Sequence, residues 1–285
     1  MRFHIGFAAP LRTPQAIVGM PMLRTVEMAV ADARARGLDV VVKAVDDRED
    51  EQVAAQVAAE LVADRTVIAV IGHKNSGPSG AAGPIYAAAG LAQVTQCSTD
   101  NALSRAGWPT FFRLCADNER QASVAAKFAY SRLGSKPSGG ANAYAVAVHD
   151  GTDYGRPLVH AFAERLRALS GREVPVLAMH VGQEDFSEIL ESIRAAAPAI
   201  VDFGATEIES SKLMKALHAA GLHSLVISSE GGPDNPLARL AGAAGEGSVH
   251  TYAGADPLAT PASRRLVERC RAEIGETPSY GVECY

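Results

Sequence analysis

Val67-Ile68-Ala69-Val70-Ile71-Gly72-His73-Lys74-Asn75-Ser76-Gly77-Pro78-Ser79 is the stretch whose reading decides the fold. The run from Val67 to Ile71 is apolar and largely β-branched, and reads as a fully buried strand. A polar, glycine-bearing turn follows, and then a helix running through Ile85 and Tyr86 to Ala89. A strand delivered directly into a helix is the repeating unit of a parallel sheet covered by helices. The same alternation extends outward in both directions. Before it lie a strand over Phe3–Ala8, a helix over Thr13–Arg36 that stops at Gly37, a strand over Asp39–Val45 and an alanine-rich helix over Glu49–Ala63. After it, strands are expected at Tyr144–His149, Val174–His180, Ile200–Phe203 and Leu225–Ser228, with helices centred near Ala163, Leu190, Leu213 and Leu266. Ile189, Ile193, Leu213 and Leu217 recur at helical spacing and mark core faces. The Gly/Pro/Ser-rich stretch from Leu133 to Asn142 reads as a surface loop.

With 285 residues and 47% hydrophobic content, the chain is long enough for one large or two medium cores. Lys and Arg total 27 against 32 acids, a net charge of −5, and neither sign forms blocks, so nucleic acid is not an expected partner. No stretch approaches the roughly 18 uninterrupted apolar residues that crossing a bilayer takes, so direct membrane insertion is not expected. The cysteines Cys97, Cys115, Cys270 and Cys284 show neither CxxC nor finger spacing, which excludes a signalled zinc or thioredoxin-type site and leaves free or buried thiols as the first expectation. The amino terminus leads at once into a strand without a secretory pattern, so either an export signal is missing from this sequence or the protein stays in the cytoplasm.

In an open α/β sheet, ligands bind beyond the carboxyl ends of the strands. That rule selects the loops Ala9–Gly19, Gly72–Ser79, Thr95–Asn101, Asp150–Gly155, Gly204–Glu207 and Ser228–Asn235. In the Gly72–Ser79 loop, Pro78 suits a first helical turn, whose amides and positive dipole end receive anions, and Ser76 adds a hydroxyl. An equally weighted reading is that Ser76 or Ser79 only caps the helix. The segment lacks the Gly-x4-Gly-Lys order of a phosphate-binding loop. The Thr95–Asn101 loop offers several hydroxyls that could complete a carboxylate site, although such residues also simply make turns. Tyr154 and Glu230 supply a ring with a hydroxyl and a carboxylate, the groups that hold an ammonium. Together the loops describe a binder of an α-amino acid zwitterion.

These loops, in this order, make the sequence resemble the leucine/isoleucine/valine-binding proteins, the type I periplasmic receptors of branched-chain amino-acid ABC transporters. The matching stretches are Ala9-Pro10-Leu11 with Pro14-Gln15 and Gly19, Ile71 to Gly77, Pro84 to Gly90, Ser98-Thr99, Phe112-Arg113, Val148 to Asp150 with Tyr154-Gly155, and Glu230-Gly231. The resemblance implies a two-lobed α/β fold, each lobe a mostly parallel sheet flanked by helices, in which the chain crosses three times between jaws that close on the ligand. It implies lobe one over residues 1–115 and 251–285, and lobe two over 116–250. Carried over by position, Ser76 and Thr99 would hold the ligand's carboxylate and amino group beside Cys97 and Ser98. Tyr154 and Glu230 would meet the amino group, and Val18 and Thr206 would line the side-chain pocket where relatives often carry tyrosine. The family pattern continues past Tyr285 with a helix, a third crossover and closing strands, so the fold is expected to be truncated at its carboxyl end or a short variant. The implied partners are a small carboxylated metabolite and a membrane permease, with no cofactor and no metal, in the periplasm.

Catalysis is not expected. None of the eight histidines lies in HExxH, His218 and His223 are off one helical face, and His73 beside Ser76 lacks the G-x-S-x-G elbow of a nucleophile. The rival reading is a cytoplasmic sensor of the amide-responsive type, which is similar in fold and binds small ligands without export.

Overall fold

The computed structural model describes residues 2–133, 145–232, 234 and 236–285. The loop expected over 133–142 lies outside these residues from 134 onward, as does Tyr144, the expected first residue of a strand. The chain forms two compact units: unit 1 comprises Met1–Ala116, Gly232–Asp234 and Ala253–Tyr285, and unit 2 comprises Asp117–Gly231 and Asn235–Tyr252.

Unit 1 begins with β1 (Phe3–Ala9), α1 (Ala16–Ala35), β2 (Val40–Asp46), α2 (Glu51–Ala63), β3 (Val67–Gly72), α3 (Ser76–Ala89), β4 (Ala92–Thr95), α4 (Asn101–Arg105) and β5 (Phe111–Arg113). Its 5-stranded sheet runs β2-β1-β3-β4-β5, and every pairing is parallel. Ala8, Leu61, Val70, Ala82 and Tyr86 close a core between this sheet and α2 and α3. Unit 2 holds α5 (Asn118–Leu133), β6 (Ala145–His149), α6 (Gly155–Ser170), β7 (Val176–Ala178), α7 (Ser187–Ala196), β8 (Ile200–Gly204), α8 (Glu207–Ala219), β9 (Leu225–Ser228), α9 (Pro236–Ala241) and β10 (Val249–His250). Its 5-stranded sheet, β10-β9-β8-β6-β7, is also parallel throughout. α10 (Pro261–Glu273) and α11 (Gly281–Cys284) belong to unit 1. Two parallel sheets, each flanked by helices, are the fold class the resemblance implies.

Side-chain alternation explains why the central strands of unit 2 are apolar almost without interruption. Ala145, Ala147 and Ile200 face the α5/α6 layer with Leu158 and Phe162, while Val146, Val148, Val201 and Phe203 face α7 and α8 with Ile193 and Leu213. Both faces of a parallel strand are therefore core. Each such large side chain contributes about 1.5–3 kcal/mol when fully buried. β3 departs from the expected full burial: Ile68 is 48% exposed. The pairing with β1 shifts between His4 and Ile5, so that His4 lies opposite Val67 and Ile5 opposite Ala69, which leaves Ile68 as the extra residue of a bulge.

Two helices start later than the sequence suggests. α2 begins at Glu51, because Arg48 and Glu49 carry positive φ angles of 54° and 61° that no helix accommodates, and Asp50 then caps by accepting from the Val53 amide at 2.9 Å. α1 begins at Ala16, after a turn in which the Ala16 amide bonds the Thr13 carbonyl. In α10, Thr260 and Ser263 form a reciprocal capping box. Arg269 then ties α10 to α1 through Asp32 at 2.6 Å. The four cysteines are free thiols, and Cys270 and Cys284 are buried, with burial pushing both thiols up from their ordinary pKa. Among the described residues, no helix is long and apolar enough to cross a membrane.

Candidate functional site

Unit 1 assembles polar groups beyond the carboxyl ends of β3 and β4. Asn75 is the N-cap residue of α3 and makes no side-chain cap, so Ser76 and Ser79 sit inside the helix; neither is the cap that one sequence reading allowed. Ser76 is buried and accepts from the Asp100 amide at 3.3 Å, which places its hydroxyl against the start of α4. Thr99 is 1% exposed, and its Oγ1 has no hydrogen-bond partner among the described residues. A buried hydroxyl without a partner is costly, and one beside a helix amino terminus awaits an acceptor or donor from elsewhere.

Behind these groups the two loops are pinned together. Ser98 Oγ lies 2.7 Å from Ser79 Oγ, 2.9 Å from the His73 carbonyl and 3.1 Å from the Lys74 carbonyl. Thr95 Oγ1 donates to the His73 carbonyl at 3.0 Å and accepts from the Ser98 amide at 3.0 Å. Cys97 Sγ donates to the Lys74 carbonyl at 3.2 Å. The structure thus brings Ser76, Cys97, Ser98 and Thr99 together, but the Ser98 hydroxyl is engaged with backbone carbonyls. His73 does not turn toward Ser76: its Nδ1 lies 2.7 Å from Asp47 Oδ2 and its Nε2 3.2 Å from the Tyr86 hydroxyl, all within the core. Burial, reinforced by Asp47, pushes the Tyr86 hydroxyl above its ordinary pKa, so it stays protonated. Val18 is buried in the first turn of α1. The next residue, Gly19, lets that turn approach β1, since a Cβ there would run into the Pro10 carbonyl oxygen.

Unit 2 assembles a second set at the ends of β6, β8 and β9. Asp150 is 2% exposed and accepts from the Thr152 amide at 3.1 Å, the Thr152 hydroxyl at 2.6 Å and the Thr206 amide at 3.2 Å, locking the β6 and β8 loops together. Burial raises its carboxyl pKa against the opposing effect of those bonds. Gly155 and Gly204 make the junction possible, because a Cβ at Gly155 would meet the Gly204 carbonyl oxygen and Asp150. Thr206, the N-cap residue of α8, turns its hydroxyl to Glu209 Oε2 at 3.3 Å instead of capping.

Tyr154 donates its hydroxyl to the Ser229 carbonyl at 3.2 Å, one residue before the buried Glu230. Burial raises this hydroxyl well above its ordinary pKa, and the carboxylates of Glu230, Glu207 and Asp150 raise it further. It therefore serves as a donor, never as a phenolate, in a negative field. The structure brings Tyr154, Thr206 and Glu230 to one end of one sheet. Two residues that the sequence did not single out hold this arrangement. Gln121 Nε2 donates to the Ser229 carbonyl at 2.7 Å and to Thr251 Oγ1 at 3.0 Å, and Asn118 Nδ2 donates to the Tyr154 carbonyl at 3.2 Å. Their only sequence signal is a pair of amides three apart in one helical turn. No group of three or more His, Cys, Asp or Glu side chains among the described residues is arranged to hold a metal.

The strand-end loops of unit 1 are therefore hydroxyl-rich and positive-ended, and those of unit 2 carboxylate-rich. The chain matches a family model described as periplasmic binding protein over residues 3–285. It is 31% identical over 286 residues to the Leu/Ile/Val-binding protein homolog 2 of Brucella abortus, covering 99% of this chain and 74% of that one. Among solved structures, it is similar to a leucine binding protein, LivK, from Thermotoga maritima, with a TM-score of 0.87, 24% identity, and coverage of 99% of this chain and 80% of that one. It is also similar to an ABC transporter solute binding protein from R. palustris in complex with benzoate, with a TM-score of 0.86, 20% identity, and coverage of 100% and 78%.

Proposed function

The chain belongs to the periplasmic binding protein family, whose members are non-catalytic solute-binding components of ABC transporters, and from that premise we propose that it captures an α-amino acid for delivery to a membrane permease. The observation that carries the proposal is the opposed chemistry of the two units. In unit 1, Ser76 in the first turn of α3 and the Thr99 hydroxyl, which has no partner among the described residues, suit a carboxylate. In unit 2, Glu230 beside the Tyr154 hydroxyl suits an ammonium. Cys97 and Ser98 frame the first half-site, while Val18 and Thr206 stand toward the ligand's side chain. The family expectation assigns the first half-site to the lobe over residues 1–115 and 251–285 and the second to the lobe over 116–250. Binding energy favours the ligand-embracing conformation, as in hinge closure of such receptors. The work is done outside the cytoplasm, and the permease is the macromolecular partner.

A thermal-shift screen tests the proposal, since a ligand that binds only the folded state raises the melting temperature, by about 2.7 kcal/mol of stabilisation at a hundredfold excess over Kd. Proteinogenic amino acids are compared with their amine-free and carboxyl-free analogues. The expected result is a rise with one group of amino acids and little or none with either analogue. A rise with amine-free acids equal to that with the amino acids would remove the ammonium role of Glu230 and leave a general carboxylate receptor.

A further inference from the structure

Thr206 departs from the usual behaviour of a helix N-cap. A threonine there normally accepts an amide hydrogen of the first turn through its hydroxyl oxygen. At the start of α8 no such bond is made, and Thr206 Oγ1 donates instead to Glu209 Oε2 at 3.3 Å. Glu209 is 5% exposed and is held in place from outside its helix: its Oε1 accepts from the Gly182 amide at 2.9 Å, with Lys212 Nζ 3.8 Å from the same oxygen. The Thr206 amide donates to Asp150 Oδ2 at 3.2 Å, so two buried carboxylates flank this one residue. A hydroxyl has one hydrogen and two lone pairs. The hydrogen of Thr206 is committed to Glu209, and among the described residues no donor reaches the lone pairs.

We propose that Glu209 is a positioning residue that sets the polarity of the side-chain subsite: it makes Thr206 Oγ1 an acceptor only, so the amino acid captured carries a hydrogen-bond donor at the end of its side chain, as L-glutamine and L-asparagine do. This rests on the reading of the preceding subsection, in which Thr206 stands toward the ligand's side chain. A side-chain amide gives an N–H to Oγ1. A side-chain carboxylate has no hydrogen to give, and it meets like charge on Asp150 and Glu209. An aliphatic side chain excludes water from Oγ1 without replacing its hydrogen bond, which disfavours it. The Gly182 amide also determines what a change at Glu209 does. In Glu209→Gln, that amide claims the carbonyl oxygen of the new side chain and turns its NH2 toward Thr206. The NH2 then donates to Oγ1, and the hydroxyl hydrogen is released toward the ligand. Thr206 becomes a donor, which a ligand carboxylate can use.

Calorimetric titration with L-glutamine and L-asparagine, with their acids L-glutamate and L-aspartate, and with L-leucine tests the proposal. The wild type should bind one of the amides about 2–10-fold more tightly than leucine, the range of a neutral hydrogen bond, and the corresponding acid least tightly. Glu209→Gln should shift the ratio of acid to amide affinity toward the acid by about 10-fold, whereas a merely structural loss would weaken every ligand alike. Thr206→Val removes the acceptor and should erase the preference for the amide over leucine; it serves also where Glu209→Gln does not fold. If leucine binds the wild type as tightly as either amide, or if the acid-to-amide ratio is the same in Glu209→Gln, the donor-selective subsite is refuted while the amino-acid reading stands. If none of the five binds, this subsite is refuted as well, and the amino-acid reading falls with it only where the thermal-shift screen also finds no amino acid.

Discussion

Asp202 lies in the middle of β8, 1% exposed, with Ala147 and Ile227 as its register partners and no hydrogen-bond partner for Oδ1 among the described residues. Burial raises its carboxyl well above the ordinary carboxylate pKa. The folded protein therefore binds this proton more tightly than the unfolded chain does. The stability it confers is complete below the ordinary value near pH 4 and falls as pH rises through the elevated folded-state value. The steepest loss is about 1.4 kcal/mol per pH unit, the equivalent of one proton. Asp202→Asn keeps the shape and removes the titration. Its stability relative to wild type should be small or negative at pH 4, where the wild-type carboxyl is protonated and equally neutral. It should grow as the pH is raised, in steps that approach that slope. The variant should therefore have the higher Tm at pH 8, by about 2–4 °C for each kcal/mol gained in domains of 150–250 residues. Thermal unfolding at pH 4, 6 and 8, monitored by circular dichroism, reads it. A difference that is constant across this range would show that Asp202 does not titrate as its burial requires.

Two further outcomes follow from the unit 2 network and a third from the core of unit 1. Gln121→Leu removes the amide that holds the Ser229 carbonyl and Thr251 hydroxyl, and should destabilise the protein by about 1–3 kcal/mol in chemical denaturation, with weaker ligand binding because Glu230 loses its register. Gly155→Ala drives a methyl into the Gly204 carbonyl and the Asp150 carboxylate, and should cost about 1–3 kcal/mol or more in the same assay; an unchanged midpoint would mean that α6 is free to shift. Tyr86→Phe deletes the partner of His73 Nε2 deep in unit 1 and should cost about 0.5–1.5 kcal/mol without altering ligand affinity, which calorimetry checks.

The fold was legible because parallel strands buried on both faces read as continuous apolar runs, as in Val146, Val148, Val201 and Phe203. α5 was not, because its buried face is a row of alanines, Ala122, Ala125, Ala126 and Ala129, whose small side chains leave a weak apolar stripe. The 3-residue β5 and 2-residue β10 are too short to carry a periodic signal. In the candidate site, Thr99, Tyr154 and Glu230 could be singled out because they lie in loops beyond the carboxyl ends of strands, and Ser76 because it opens the helix that follows β3. Asn118 and Gln121 could not, since each acts from the first turn of a helix on a group distant in sequence; Gln121 reaches Ser229 across 108 positions. The burial of Ile68 failed as an expectation because a bulge depends on the register of a partner strand, which no local pattern encodes.

The most direct test of the amino-acid reading is a calorimetric comparison of wild type and Glu230→Gln, each titrated with the amino acid that gives the largest thermal shift and with that acid's amine-free analogue. A charge-assisted bond between Glu230 and the ammonium predicts that the variant binds the amino acid about 10–100-fold more weakly. It predicts equal binding of the amine-free analogue by the two proteins. An equal loss for both ligands, or no loss for either, would contradict it.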